Sequence, residues 1–298
     1  MSDLILGQHP LLKKQFIDAR IRELSEPRFV ADALLMTVSA DALAVKFFKD
    51  GEGYNSYEEV PEVGEGSGFK RIGLSEDARL EMIRKYGLEF TFSYEMQKWG
   101  TAGQFERAFR KLSSSVVAMV NGMVYDKLHD SATAGNGNLQ NKTDNYWNAP
   151  EVGATAGQPL PPNGADNMIA DIVNAKKVAK DKGYKLNTMV IGTDVEAALL
   201  SSKPVRDALS KNNTDLTLFD GYIGDFLQIS IIVDEHYPAD QALLLERKIV
   251  GEIADAEPLR STTYNQEEDM TTIGRVTRFT TAYVTDPSAL FLIKNVLN

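Results

Sequence analysis

Three imidazoles, His9, His129 and His236, are all the histidine in this chain of 298 residues, and it contains no cysteine. Thiolate nucleophiles, Cys-rich zinc sites and disulfides are therefore excluded, and the fold cannot depend on an oxidising compartment. None of the histidines belongs to an HExxH or another close metal-ligand spacing, so each reads as an ordinary surface or helix-end residue. The run GEGSGFK over 64–70 has the glycines of a phosphate loop. Such a loop needs Gly directly before its Lys and Ser or Thr directly after, where this chain has Phe69 and Arg71. Gly135 and Gly137 in AGNGNLQ lack the third glycine of a dinucleotide fingerprint and follow a predicted helix instead of a strand. The members of a Ser-His-Asp triad can lie far apart, but no G-x-S-x-G elbow marks a nucleophile. Carboxylates are abundant, and abundance without a motif fixes no geometry. The residues predict no enzyme, no cofactor and no metal.

Two other residue sets have a pattern suited to contact. The connector GEGYNSYEEVPEVGEGSG over 51–68 is too long for a tight hairpin and carries Glu52, Glu58, Glu59, Glu62 and Glu65 among its glycines. Tyr54, Tyr57, Val60 and Val63 add apolar groups that a short hairpin cannot bury. Two readings of this stretch stand side by side: a solvated surface loop, or a protruding arm that packs on a neighbour. In the second, Arg107, Arg110 and Lys111 are the expected receivers of the glutamates. The stretch SSKPVRDALSKNNTD over 201–215 mixes Lys203, Arg206, Asp207, Lys211 and Asp215, and could form complementary pairs in a head-to-tail ring, with Arg206 and Lys211 as candidate contacts.

Charge bounds the partners. Against 42 Asp and Glu stand 32 Lys and Arg, a formal charge of -10, which argues against a surface built to neutralise nucleic-acid phosphates. Charged residues interrupt any apolar run within the first 30 positions, and no stretch approaches the ~20 apolar residues needed to span a bilayer.

Several elements must position these residues. Leu11, Leu12, Phe16, Ile17, Ile21 and Leu24 recur at helical spacing and predict an amphipathic helix ended near Pro27. Short strands are expected over 42–49 and 69–74. The strongest periodic signal runs over 103–130, where Phe105, Phe109, Leu112, Val116, Met119 and Met123 step by four and three, beside a second stripe of Val117, Val120, Val124 and Leu128. The pattern stops after about three heptads, which favours a long helix lying across a sheet over a coiled coil. An irregular surface excursion over 132–164 contains Trp147, and a second amphipathic helix over 165–182 follows, with Met168, Ile169, Ile172, Val173 and Val178 as its buried face. Strands over 186–192 and 227–235 flank a helix over 194–200 with Thr193 as its N-cap, and the chain from 248 onward is strand-rich. These late strands must pair with sheet from the earlier chain, which makes the fold α+β.

This order of elements resembles that of tailed-bacteriophage major capsid proteins, a fold shared with herpesvirus capsid shells and encapsulins. The phrases KYGLEFTFSYEM before the long helix and VTDPSALFLI near the end carry the resemblance most directly. It implies an N-terminal arm over 1–43, an extended loop over 44–76, and a peripheral domain over 77–185 that enters through a strand over 82–96 and contains the spine helix. An axial domain over 186–247 and return strands of the peripheral domain over 248–298 complete it. The implied function is self-assembly into the hexamers and pentamers of an icosahedral shell around double-stranded DNA held non-specifically, in a virion capsid assembled in the host cytoplasm. A separate scaffolding protein, a portal and a decoration protein are the partners it suggests. Lys49 and Lys70 flank the loop, but no acceptor for a crosslink can be assigned to them, and they read as solvated charges. Two alternatives remain on the residues alone: an encapsulin-like compartment around a protein cargo, and a soluble α/β enzyme with an unrecognised site.

Overall fold

The computed structural model describes residues 20, 29–49, 62–67, 69, 77–99, 102–134, 138–149, 164–201 and 222–298. Within them the elements run α1 (Val30–Leu34), β1 (Met36–Ser39), β2 (Ala44–Lys49), β3 (Asp77–Met82), β4 (Arg84–Ser93), α2 (Tyr94–Trp99) and α3 (Ala102–Thr133). There follow β5 (Leu139–Asn141), α4 (Gly164–Asp181), β6 (Thr188–Ile191), α5 (Thr193–Ser201), β7 (Tyr222–Phe226), β8 (Ile229–Val233) and β9 (Gln241–Leu245). Then come β10 (Gly251–Gln266), β11 (Thr271–Val284), a 3-10 turn (Pro287–Ala289) and β12 (Leu290–Lys294). The chain divides into two compact units. Unit 1 takes 1–45, 80–124 and 253–283, and unit 2 takes 46–79, 125–252 and 284–298.

The core of unit 1 lies where α3 meets a four-stranded sheet of order β1-β10-β11-β4. β11 and β4 run antiparallel from Thr271 opposite Ser93 to Thr280 opposite Arg84, so the late strand does pair with sheet from the earlier chain. Phe109, on the helix, stands edge-on to Phe90 and Phe92 of β4, with ring centroids 6.1 and 6.3 Å apart. Gly274 lies opposite Phe90, and a Cβ there would stand 2.1 Å from the ring, so the aromatic cluster requires glycine at that position. The second stripe of α3 is buried as deeply as the first: Val117, Val120 and Val124 join Phe109, Leu112 and Val116 in the core.

Polar side chains fasten α1 to this body. Phe29 at its N-cap has no side-chain acceptor to offer, and the amide of Ala31 instead donates to Oδ1 of Asn121, a wholly buried residue of α3, at 3.2 Å. Arg278 of β11, also buried, bridges Asp255 at 2.8 Å and Asp32 of α1 at 3.3 Å, and its guanidinium covers the Phe29 ring. Desolvation raises the Asp32 carboxyl above its ordinary value, and Arg278 pulls it back down. Removing Arg278 would leave the carboxylates of Asp32 and Asp255 without the cation that bridges them.

Unit 2 is built on a mixed six-stranded sheet of order β5-β12-β9-β6-β8-β7. β6 is parallel to β8 and antiparallel to β9, and all four of its residues are buried, as a central strand covered on both faces requires. Helix α4 packs against β12. Its aspartate Asp171 is buried and accepts from Trp147 Nε1 and Gln140 Nε2, each at 2.7 Å, while pairing with buried Lys142.

Several local expectations are corrected. The strand expected over 69–74 is not seen at Phe69, which lies in irregular chain, and 70–74 falls outside the described residues; the strand on that side of the loop is β3. The entering strand expected over 82–96 is shorter, because Met82 closes β3 and the hydroxyl of Ser93 accepts from the amide of Met96 at 3.3 Å, starting α2 where the sequence suggested continued strand. The segment 227–235 is the second half of a hairpin, turning through Leu227 and Gln228 at φ 52° and 61°. The buried face of α4 runs through Met168, Asp171, Ile172, Ala175 and Ala179, with Val173 exposed, because small alanines and a hydrogen-bonded aspartate fill the face where larger apolar residues were expected. The excursion over 132–164 is not wholly superficial: Trp147 is buried, its amide donates to the Val296 carbonyl at 2.7 Å, and β5 pairs in parallel with β12. β12, grouped from sequence with return strands of the peripheral domain, joins the sheet of unit 2 through β9. Of the helix expected over 10–24 only Arg20 falls among the described residues, and it is helical.

Candidate functional site

Arg107, Arg110 and Lys111 are all exposed in the first turns of α3. Spacings of three and four place them on one side of the helix, and Phe109, Leu112 and Val116 turn into the core of unit 1 on the other. Unit 1 therefore carries a cluster of three cations on a rigid element.

The proposed counterpart is described only in part. Glu62 and Glu65 are exposed, the latter within a turn in which the Ser67 amide donates to the Gly64 carbonyl at 3.0 Å. Tyr54, Tyr57, Glu58 and Glu59, together with Arg206 and Lys211 of the second candidate contact, lie outside the described residues.

What sequence reading missed is the apolar side of the strands that carry the loop. β2 and β3 pair as a two-stranded ribbon. Leu80 and Met82, two apart on β3 and hence on one face, are 67% and 65% exposed, and Phe69 beyond the ribbon is 84% exposed. Leu43 and Phe48 are exposed on the partner strand and at its approach. A signal was present: DARLEM alternates Leu80 and Met82 with Arg79 and Glu81, the pattern of a strand with one apolar face. Within unit 1 an apolar hollow of about 200 Å³ opens between β4, β11 and α3, lined by Tyr86, Leu88, Val116, Met119, Leu259 and Val276. Among the described residues no three His, Asp or Glu side chains gather within reach of one cation.

The exposed cations of α3 and the exposed apolar residues of β3 are groups suited to contact with another surface. A family model described as phage capsid protein matches residues 76–293. The chain belongs to that family. No curated protein sequence matches it. Among solved structures, this capsid protein is similar to a phage-related protein from Bordetella bronchiseptica RB50, at 12% identity and a TM-score of 0.62, over 95% of this chain and 97% of that one. It is similar to a virus-like particle from Pyrococcus furiosus at 12% identity and a TM-score of 0.58, over 93% and 98% of the two chains. A chain of Mycobacterium phage Bobi matches at 12% identity and a TM-score of 0.61 over 89% of each. The α+β fold is thus the tailed-phage capsid fold, and the protein is a capsid subunit that forms a shell.

Proposed function

We propose that this capsid protein closes its shell by laying the β2–β3 ribbon and the loop it carries on a neighbouring subunit. The observation that carries this reading is the apolar face of the ribbon. Among the described residues the ribbon is two strands alone, and Leu80 and Met82 stay exposed to water unless another surface covers them. A second copy offers both an apolar hollow beside β4 and, on α3, the cations Arg107, Arg110 and Lys111 for the loop glutamates Glu58, Glu59, Glu62 and Glu65. Tyr54 and Tyr57 are assigned to the same contact, and Arg206 and Lys211 to the ring within a hexamer or pentamer. Residues 1–43 serve as arm, 44–76 as extended loop, the body over 80–124 and 253–283 as peripheral domain, and the sheet built around 186–247, with β5, α4 and β12, as axial domain. The shell encloses double-stranded DNA, assembles in the host cytoplasm, and works with a separate scaffolding protein, portal and decoration protein.

The test replaces residues 51–68 with a short Gly-Ser turn. The variant is expected to remain soluble and folded by circular dichroism while failing to form closed particles under the electron microscope. Normal particles would show that the loop is a solvated linker. Nuclease-protected DNA in particles of the unaltered protein is the expected content; a co-purifying enzyme in its place would favour the encapsulin-like compartment.

A further inference from the structure

Both histidines among the described residues converge on one loop of unit 2. Tyr125 and His129 lie one turn apart in the later part of α3, and facing them is the loop 234–240 that joins β8 to β9. The Tyr125 hydroxyl donates to Asp234 Oδ2 at 2.5 Å, and its ring stands edge-on to that of Tyr237, with centroids 4.9 Å apart. His129 makes the same edge contact at 5.5 Å, and its Nε2 lies 3.0 Å from the Tyr237 hydroxyl. Asp234 Oδ1 accepts from the backbone amide of His236 at 2.9 Å and lies 3.2 Å from that residue's Nδ1. Asp234 and Tyr237 are both buried.

The two imidazoles have different partners. His236 lies against the carboxylates of Asp234 and Glu235. His129 is held instead to a phenol. Burial weighs most against its charged form, Lys294 of β12 adds to that, and Asp126 and Asp130 on its own helix offset them only in part, so its affinity for a proton falls below the ordinary value of 6.5. From the loop side it faces Tyr237, whose own ionisation is suppressed by burial and by Asp240, so no counter-charge comes from there. Tyr125 likewise stays protonated, held so by burial and by Asp234.

We propose that the loop segment 234–237 is an acid-released strap, latched to the long helix through the neutral His129 imidazole and let go when that ring takes a proton. The sign follows from linkage. A histidine whose folded-state affinity lies below its unfolded value contributes stability that is complete above pH 6.5 and is lost as pH falls below it. Breaking this latch frees the corner between β8 and β9 while the central strands β6 and β9 keep their pairing, which gives the subunit a local response to mild acid.

Hydrogen–deuterium exchange on the full chain tests this, read at the backbone-bonded amides of Asp234 and Tyr237. Compared between about pH 7.5 and about pH 5.5 and corrected for intrinsic rates, their protection is expected to fall at the lower pH, the direction that the lowered proton affinity of His129 requires. The amides of β9 should hold theirs. His129→Gln keeps a hydrogen-bonding group without a titrating ring and should abolish the step; His236→Gln should retain it. A step of undiminished size in His129→Gln, or one that disappears only in His236→Gln, overturns the proposal. Should His129→Gln fail to fold, an NMR titration of the unaltered protein decides. A His129 ring titrating below 6.5 together with a shift at Tyr237 supports the strap, and one titrating at or above 6.5 refutes it.

Discussion

Truncating Phe109 to Ala tests whether unit 1 is organised around α3. The side chain is 1% exposed and contacts the rings of Phe90 and Phe92, so its loss removes a buried aromatic and leaves a cavity between helix and sheet. Phe-to-Ala changes in such sites cost about 3 to 5 kcal/mol, of which each edge-on ring contact supplies about 0.5 to 1.5. With a urea dependence of about 3 kcal/mol per molar, the unfolding midpoint should drop by roughly 1 to 1.7 M. Set against a total stability of typically about 5 to 15 kcal/mol, this loss takes from roughly a fifth of it to all of it. The measurement belongs on unassembled subunits at low concentration, because association adds stability by mass action. Phe109→Leu, which refills much of the cavity, should recover at least about half of the loss. A Phe109→Ala midpoint within about 0.3 M of the parent would refute the assignment of this face to the core.

Gly274→Ala should destabilise unit 1 by about 1 to 3 kcal/mol, since the new methyl drives into the Phe90 ring, and Phe90→Ala on the same background should relieve most of that; denaturation of the single and double variants reads the coupling. Asn121→Leu removes the acceptor for the Ala31 amide while keeping volume, and should cost about 1 to 3 kcal/mol by thermal denaturation, with the excess hydrogen exchange concentrated in α1.

Legibility from sequence followed the range over which the cause of each feature acts. Helix α3 was readable because its period is local: residues at i, i+3, i+4 and i+7 report one face whatever the partner is, and the expected span 103–130 lies within Ala102–Thr133. The start of α2 was not, since the aromatic residues of KYGLEFTFSYEM continue from Tyr86, Phe90 and Phe92 to Tyr94 across the strand's end, and the hydrogen bond from the Met96 amide to Ser93 that marks the helix start has no periodic signal. Val173 was misplaced on the buried face of α4 for a different reason. That face includes Asp171, which is tolerable only because Lys142, Trp147 and Gln140 meet it from a loop more than twenty residues earlier in the chain, a fact invisible to any local window.

The candidate contact surface divides along the same line. Arg107, Arg110 and Lys111 could be placed outward because the apolar stripe of α3 fixes where outward is. Leu80 and Met82 were passed over because exposed apolar residues are uninformative singly. They acquire meaning only once β3 is known to pair with β2 alone, in a two-stranded ribbon with no further strand among the described residues. His129 makes the converse case: it reads as an ordinary helix-end residue until β8 and β9 bring Tyr237 against it, after which burial and Lys294 decide its chemistry. A surface defined by what fails to be covered, and a titrating group defined by what covers it, both depend on the whole fold. Sequence periodicity can nominate the helix that presents them, and only tertiary structure can say which of its side chains has anything to respond to.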